Sequence, residues 1–139
     1  MHRIVNILKH PPGNLMAKIM VVDDDKEFTT LYREFLTMVG FETICENQSS
    51  KAMDLANAVK PDLFILDLMM PEPDGFKLCR MLRTNMNFVH TPIIIVTALN
   101  DEDSKVVALG AGANDYLTKP FHIDQLKLRI DFLLERYSR

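Results

Sequence analysis

The chain has 139 residues, 47% apolar and 25% charged, the make-up of one globular domain large enough to bury a core. Its formal net charge of −3 offers no basic footprint and argues against direct DNA binding. Two cysteines, Cys45 and Cys79, are too few for a disulfide framework and fit a reducing compartment, and no apolar stretch reaches the roughly 20 residues that span a bilayer. The opening "MHRIVNILKHPPGNL" lacks the long apolar segment and the small-residue cleavage site of a signal peptide, and the breaker Pro11-Pro12-Gly13 closes it off. It reads as an N-terminal extension, 1–15, ahead of a single domain at 16–139.

From Lys18 strands and helices alternate. "KIMVV" (18–22) is a short β-rich run. The helix after it has Phe28, Leu31, Phe35 and Val39 at helical spacing, with Asp25 as its cap and Gly40 as its stop. "FETICE" (41–46) is a second strand, and "SKAMDLANAV" (50–59) a helix with Ala52, Leu55, Ala56 and Val59 inward. "DLFILD" (62–67) is a third strand, apolar on both faces, before a helix over "GFKLCRMLR" (75–83). The β-branched "PIIIVTA" (92–98) is a fourth, and a helix over 101–109 leads to "DYLTK" (115–119), the fifth. A last helix covers 123–136. Five βα repeats with no adjacent strand pair predict an α/β fold, a doubly wound parallel sheet with helices on both faces.

Such a sheet brings all its strand carboxyl ends to one rim, where open α/β sheets hold their ligands. The first strand ends in Asp23-Asp24-Asp25, the third in Asp67, the fourth in Thr97 and the fifth in Lys119-Pro120. Three crowded carboxylates resist ionisation unless a cation sits among them, and hard oxygen donors with room for water suit Mg²⁺. A hydroxyl and a lysine beside them suit a phosphate-like anion. The set suits turning one carboxylate into a phosphoryl acceptor.

With "VVDDD", "LDLMMPEPDG", "IVTA", "GANDYLTKPF" and their spacing, the chain resembles the receiver domains of bacterial two-component response regulators, from about Lys18 to Arg136. The resemblance implies a flavodoxin-like (βα)5 sheet of strand order 2-1-3-4-5, a cis Lys119–Pro120 bond and a cytoplasmic phosphoryl acceptor rather than an enzyme that turns over a free substrate. It implies Asp67 as the acceptor, and Mg²⁺ held by Asp24, Asp67 and the backbone carbonyl of Met69, with Asp23 steering the metal. Thr97 matches the hydroxyl that moves onto the phosphoryl oxygen, Lys119 the lysine that pairs with it, and Tyr116 the switch aromatic whose ring turns inward. Met69 and Leu99 match positions flanking the water that attacks the acyl phosphate. The implied donor is a sensor histidine kinase or a phosphotransfer protein. The chain reads either as a stand-alone receiver or as a fragment of a longer regulator; "DGFKLCRMLR" and "IVTALNDEDSKVVALGAGANDYLTKPF" look most like receivers joined to cyclic-dinucleotide synthases, the output expected if a domain follows Arg139.

Plainer roles fit several neighbours. Asp25 and Asp74 suit helix caps, the cysteines and most of the methionines suit core filler, and the four histidines show no metal spacing. His122 stands where a better N-cap residue is expected, with Gln125 giving partial help. One alternative function is a Mg²⁺-dependent phosphohydrolase with an aspartate nucleophile. Such enzymes carry a second aspartate two residues on, where this chain has Met69, which cannot move protons. Another is a degenerate receiver acting only as a binding module, but the acceptor, acids and lysine are all kept. On the last helix Leu126, Ile130, Leu133 and Tyr137 fall on one side as the core stripe. Leu128 and Phe132 fall nearly opposite, an expected contact with a second copy of the chain that strengthens on phosphorylation. The rival occupant of that face is the tail segment Ile4, Val5, Ile7 and Leu8.

Overall fold

The computed structural model describes residues 16–137, so the proposed extension, with its apolar tail segment, lies outside the described residues. Five strands, β1 (Lys18–Val22), β2 (Glu42–Glu46), β3 (Leu63–Leu66), β4 (Ile93–Thr97) and β5 (Asp115–Thr118), alternate with five helices. The helices are α1 (Lys26–Met38), α2 (Ala52–Val59) with a 3-10 turn before it, α3 (Gly75–Arg83), α4 (Glu102–Gly110) and α5 (Ile123–Tyr137). All strand pairs are parallel, in the order β2-β1-β3-β4-β5. This is the flavodoxin-like arrangement expected from the sequence.

The apolar strand runs reflect burial on both faces. Met20, Val22, Phe64, Leu66, Ile93 and Ile95 pack on one side of the sheet against Ala52, Ala56, Leu78, Leu82 and Ala108 from α2, α3 and α4. The residues between them, Ile19, Val21, Leu63, Ile65, Ile94 and Val96, pack on the other side against Tyr32, Leu36, Leu126, Ile130 and Leu133 from α1 and α5. Alternation with period two thus feeds two cores instead of one core and solvent. Cys79 is buried in the first and Cys45 is half-buried beside the second; both are free thiols.

Helix starts use the predicted caps. Asp25 Oδ1 accepts from the N–H groups of Glu27 (3.0 Å) and Phe28 (3.4 Å), and Asp74 Oδ1 from that of Lys77 (2.9 Å). At α5 the Gln125 side chain accepts from the His122 N–H at 3.2 Å, the reaching-back half of a capping box. Gly40, at φ +101°, ends α1 and lets the Phe41 N–H bond back to the Leu36 carbonyl at 2.9 Å.

The packing phase of α1 differs from the predicted one. Thr29, Tyr32 and Leu36 are the buried positions, Phe28, Phe35 and Val39 are half-buried, and Leu31 is 57% exposed. Thr29 can be buried because its hydroxyl donates to the Lys26 carbonyl and accepts from Asn47. On α5 the stripe Leu126, Ile130 and Leu133 is buried as expected, with Leu134 added and Tyr137 packed beside it. Among the described residues no helix is long and apolar enough to cross a membrane.

Candidate functional site

The strand ends meet at one rim because the ladders hold them in register. Val22 pairs with Leu66, Leu66 with Ile95, and Thr97 with Thr118, so Asp23, Asp67 and Lys119 each come directly after a paired residue. The Asp67 N–H donates to the Val22 carbonyl (3.1 Å) and the Lys119 N–H to the Thr97 carbonyl (2.8 Å), extending the sheet by one bond at each site residue. Asp23 is held twice more. Its N–H bonds the Glu46 carbonyl at 3.2 Å, and its own carbonyl accepts from Asn47 Nδ2 at 2.9 Å.

Lys119 Nζ donates to Asp23 Oδ2 at 2.8 Å and to Asp67 Oδ2 at 3.0 Å, with Asp23 1% and Asp67 8% exposed. The remaining oxygens are also engaged. Asp23 Oδ1 accepts from the Asp25 N–H at 2.9 Å, and Asp67 Oδ1 from the Met69 N–H at 3.2 Å. The same ammonium lies 3.9 Å from the centroid of the Phe28 ring. Burial raises the pKa of Asp23, a rise only partly offset by Lys119 and the Asp25 N–H, and the nearby Asp67 charge adds to it. Burial alone would lower the pKa of Lys119, but its bonds to Asp23 and Asp67 and their charges win, and it is raised.

Asp24 is exposed, and Thr97 is fully buried with its hydroxyl accepting from the Leu99 N–H at 3.4 Å. Met69 is 56% exposed beside Asp67. Tyr116 is buried, and its hydroxyl donates to the Leu99 carbonyl at 2.7 Å, tying β5 to the loop after β4. Leu128 and Phe132 stand on the outer face of α5, 70% and 63% exposed. The Lys119–Pro120 bond is cis, as expected, and so is Glu72–Pro73, which nothing in the sequence pattern singles out.

The donor set fits a hard dication. Two carboxyl groups face one ammonium and Asp24 brings a third, so acid outnumbers base at the rim. Among the described residues no group of three His, Cys, Asp or Glu side chains forms a cage that could hold a metal ion by itself. Mg²⁺ takes one or two carboxylates and keeps several waters, so the Asp23 and Asp67 carboxyl groups fit it.

Three residues that hold the site escape a reading of the sequence. Asn47 ties Asp23 to Thr29, with the 3.0 Å bond to the Thr29 hydroxyl completing the link. Phe28, by its spacing, reads only as a core residue. Gly75 lets the start of α3 touch the segment just after β3: a Cβ there would collide with the Asp67 carbonyl oxygen and stand 2.6 Å from Leu68 Cα. The signal for Gly75 lies in "EPDG", where glycine, a poor helix former, opens a helix.

Comparison with known proteins bears on this rim. Residues 19–131 match the response regulator receiver domain family. The chain is 36% identical over 124 residues to the DNA-binding dual master transcriptional regulator RpaA of Synechocystis, covering 89% of this chain and 52% of RpaA. It is 41% identical over 121 residues to the transcriptional regulatory protein CpxR of Escherichia coli, covering 87% of this chain and 50% of CpxR. The chain thus spans about half the length of the curated relatives it matches. The BeF3-activated N-terminal receiver domain of RstA from Klebsiella pneumoniae superposes with a TM-score of 0.80 at 33% identity, covering 84% of this chain and 97% of that one. RpaA and CpxR are transcriptional regulators by name, and the lean toward a cyclic-dinucleotide synthase finds no support in the names of these relatives. A parallel sheet in the order 2-1-3-4-5, a rim of strand-end acids bridged by a lysine, and a family match over most of its length establish this chain as a member of the receiver domain family of two-component response regulators.

Proposed function

We propose that Asp67 accepts a phosphoryl group and that the surface of α4, β5 and α5 reports its arrival. The observation that carries this reading is Lys119, whose ammonium bridges Asp23 Oδ2 and Asp67 Oδ2 at the meeting of three strands. One Asp67 carboxylate oxygen forms the new bond to phosphorus, while the bond from phosphorus to the donor breaks and the donor leaves with that electron pair. No proton need be taken from the carboxylate. Lys119 is placed to turn from the Asp67 oxygen to an oxygen of the incoming group, where negative charge gathers. Asp24, Asp67 and the Met69 carbonyl would hold Mg²⁺, with Asp23 steering it, and the ion would supply charge neutralisation.

Thr97 and Tyr116 carry the signal outward. Thr97 shifts toward the phosphoryl oxygen, and the Tyr116 ring, already buried against the Leu99 carbonyl, moves after it. The donor in the cell is a sensor histidine kinase or a phosphotransfer protein, and the setting is cytoplasmic. Support from the relatives is the BeF3-activated form described for the RstA receiver, beryllofluoride being a mimic of a phosphoryl group on an acid. Incubation with Mg²⁺ and acetyl phosphate, borohydride reduction and peptide mapping test the assignment. Homoserine at position 67 and nowhere else is the expected result; reduction at another acid, or at none, overturns it.

A further inference from the structure

The ammonium of Lys119 has three donors and no acceptor. Two are directed at Asp23 and Asp67, at 2.8 and 3.0 Å. Among the described residues, what meets the rest of the charge is not another polar side chain but the face of Phe28, 3.9 Å from nitrogen to ring centroid. That is well inside the distance at which a ring quadrupole attracts a cation, and the attraction grows as water is excluded. Here water is largely excluded, since the Lys119 side chain is only 10% exposed. The ring is itself braced. Phe28 lies 6.1 Å from Tyr32, tilted by 41°, and Tyr32 lies 6.4 Å from Phe121, nearly parallel at 21°. Phe121 comes just after Lys119-Pro120 in the chain, so the aromatic row runs from α1 back to the segment that carries the lysine.

We infer that Phe28 is a positioning residue for Lys119, its ring face acting as the third, movable seat of the ammonium. The proposal rests on the phosphoacceptor reading of Asp67 for its consequence, not for its geometry. A carbonyl or water at the same place would fix the ammonium by a directed hydrogen bond that must break before the lysine can turn. A ring face has no lone pair to break from. The ammonium can slide over it from the Asp67 oxygen toward an oxygen of an incoming phosphoryl group, keeping contact throughout and staying dry. Tyr32, the next residue in the row, cannot do this, because it touches the ring and not the ammonium. Phe28 would therefore speed phosphoryl uptake without touching the phosphoryl group.

The test replaces Phe28 in the full chain with 4-fluoro-, 3,5-difluoro- and 3,4,5-trifluorophenylalanine, which drain the ring face of negative charge while nearly keeping its shape. Phe28→Leu removes the face altogether. The rate of phosphoryl uptake from acetyl phosphate with Mg²⁺, tracked by intact mass, should fall stepwise with each fluorine. Phe28→Leu should be about tenfold slower than wild type. A merely packed ring would leave the fluorinated series level, and a level series overturns the inference. If wild type takes up no phosphoryl group, or as much as Asp67→Asn does, it is the acceptor reading that fails. The seat is then decided by carbon–proton spectra of the resting protein. The Lys119 ε-methylene protons should lie upfield of those of the other lysines through the Phe28 ring current and return to the ordinary position in Phe28→Leu; an ordinary position in wild type overturns the inference.

Discussion

At Asp67 the neighbouring side chains decide how long an acyl phosphate would last. Met69 stands two residues on, 56% exposed, and Leu99, two residues after Thr97, is half-buried. Neither carries a group that can orient water for attack on phosphorus. We expect slow self-dephosphorylation. Met69→Asn combined with Leu99→Glu should hasten loss of the label by about tenfold or more at fixed Mg²⁺, and an unchanged or slower decay would contradict the argument. The bond from the Tyr116 hydroxyl to the Leu99 carbonyl survives both substitutions, so the switch contact is not disturbed. That Asp23, Asp67 and Lys119 meet was legible in the sequence, because each follows the end of a strand and parallel strands end together. Asn47 and Phe28 were not, because their work is done across space, on Asp23 from the end of β2 and on Lys119 from α1.

The helices divide between those that build the rim and those that face outward. At α3 the close approach of Gly75 to Asp67 lets the helix begin under the acceptor, and Gly75→Ala forces the two apart. Urea denaturation should show a loss of about 1–3 kcal/mol, with slower phosphoryl uptake; unchanged stability would mean that the loop yields freely. On the outward side α4 exposes Val106, Val107 and Leu109, and α5 exposes Leu128 and Phe132. Leu128 and Phe132 flank a shallow groove with Asp115, Gln125 and Arg129, where Arg129 bonds Asp115 at 2.6 Å. We propose that Leu128 and Phe132, exposed apolar side chains beside charged ones, form a contact with a second copy of the chain. Light scattering after gel filtration should show a dimer strengthened by beryllofluoride and lost in Leu128→Glu with Phe132→Glu; a dimer that survives both changes would remove this face from the mechanism. A monomer destabilised by deleting residues 1–15 would point to the tail instead. The exposed pair on α5 was legible from helical spacing alone. The buried face of α1 was not, since Thr29 and Tyr32 read as polar letters, while Leu31 reads as core yet faces water.

For the whole molecule, alternating apolar runs and helices were enough to give five parallel strands, and the resemblance gave their order; neither showed how deeply the charged rim is set into the core. That depth makes stability fall at alkaline pH. Tyr32 is 3% exposed and its hydroxyl has no hydrogen-bond partner among the described residues, and burial first, then the charges of Asp23 and Asp67, raise its pKa well above the ordinary 10.0. The unfolded chain therefore loses that proton first, and above pH 10.0 unfolding is favoured by up to about 1.4 kcal/mol per pH unit. Lys119, raised above its ordinary 10.5, acts in the same sense. Its contribution is complete below 10.5 and is lost as pH rises through the folded-state value. Tyr32→Phe should gain about 1 kcal/mol near neutral pH and soften the alkaline fall; lower stability at neutral pH, or an unchanged alkaline slope, would contradict this account of the hydroxyl. The central claim is that this rim makes Asp67 a phosphoryl acceptor, and intact-mass spectrometry tests it most directly. With Mg²⁺ and acetyl phosphate, wild-type protein should gain a single phosphoryl group and Asp67→Asn none, whereas equal uptake by the two would contradict it.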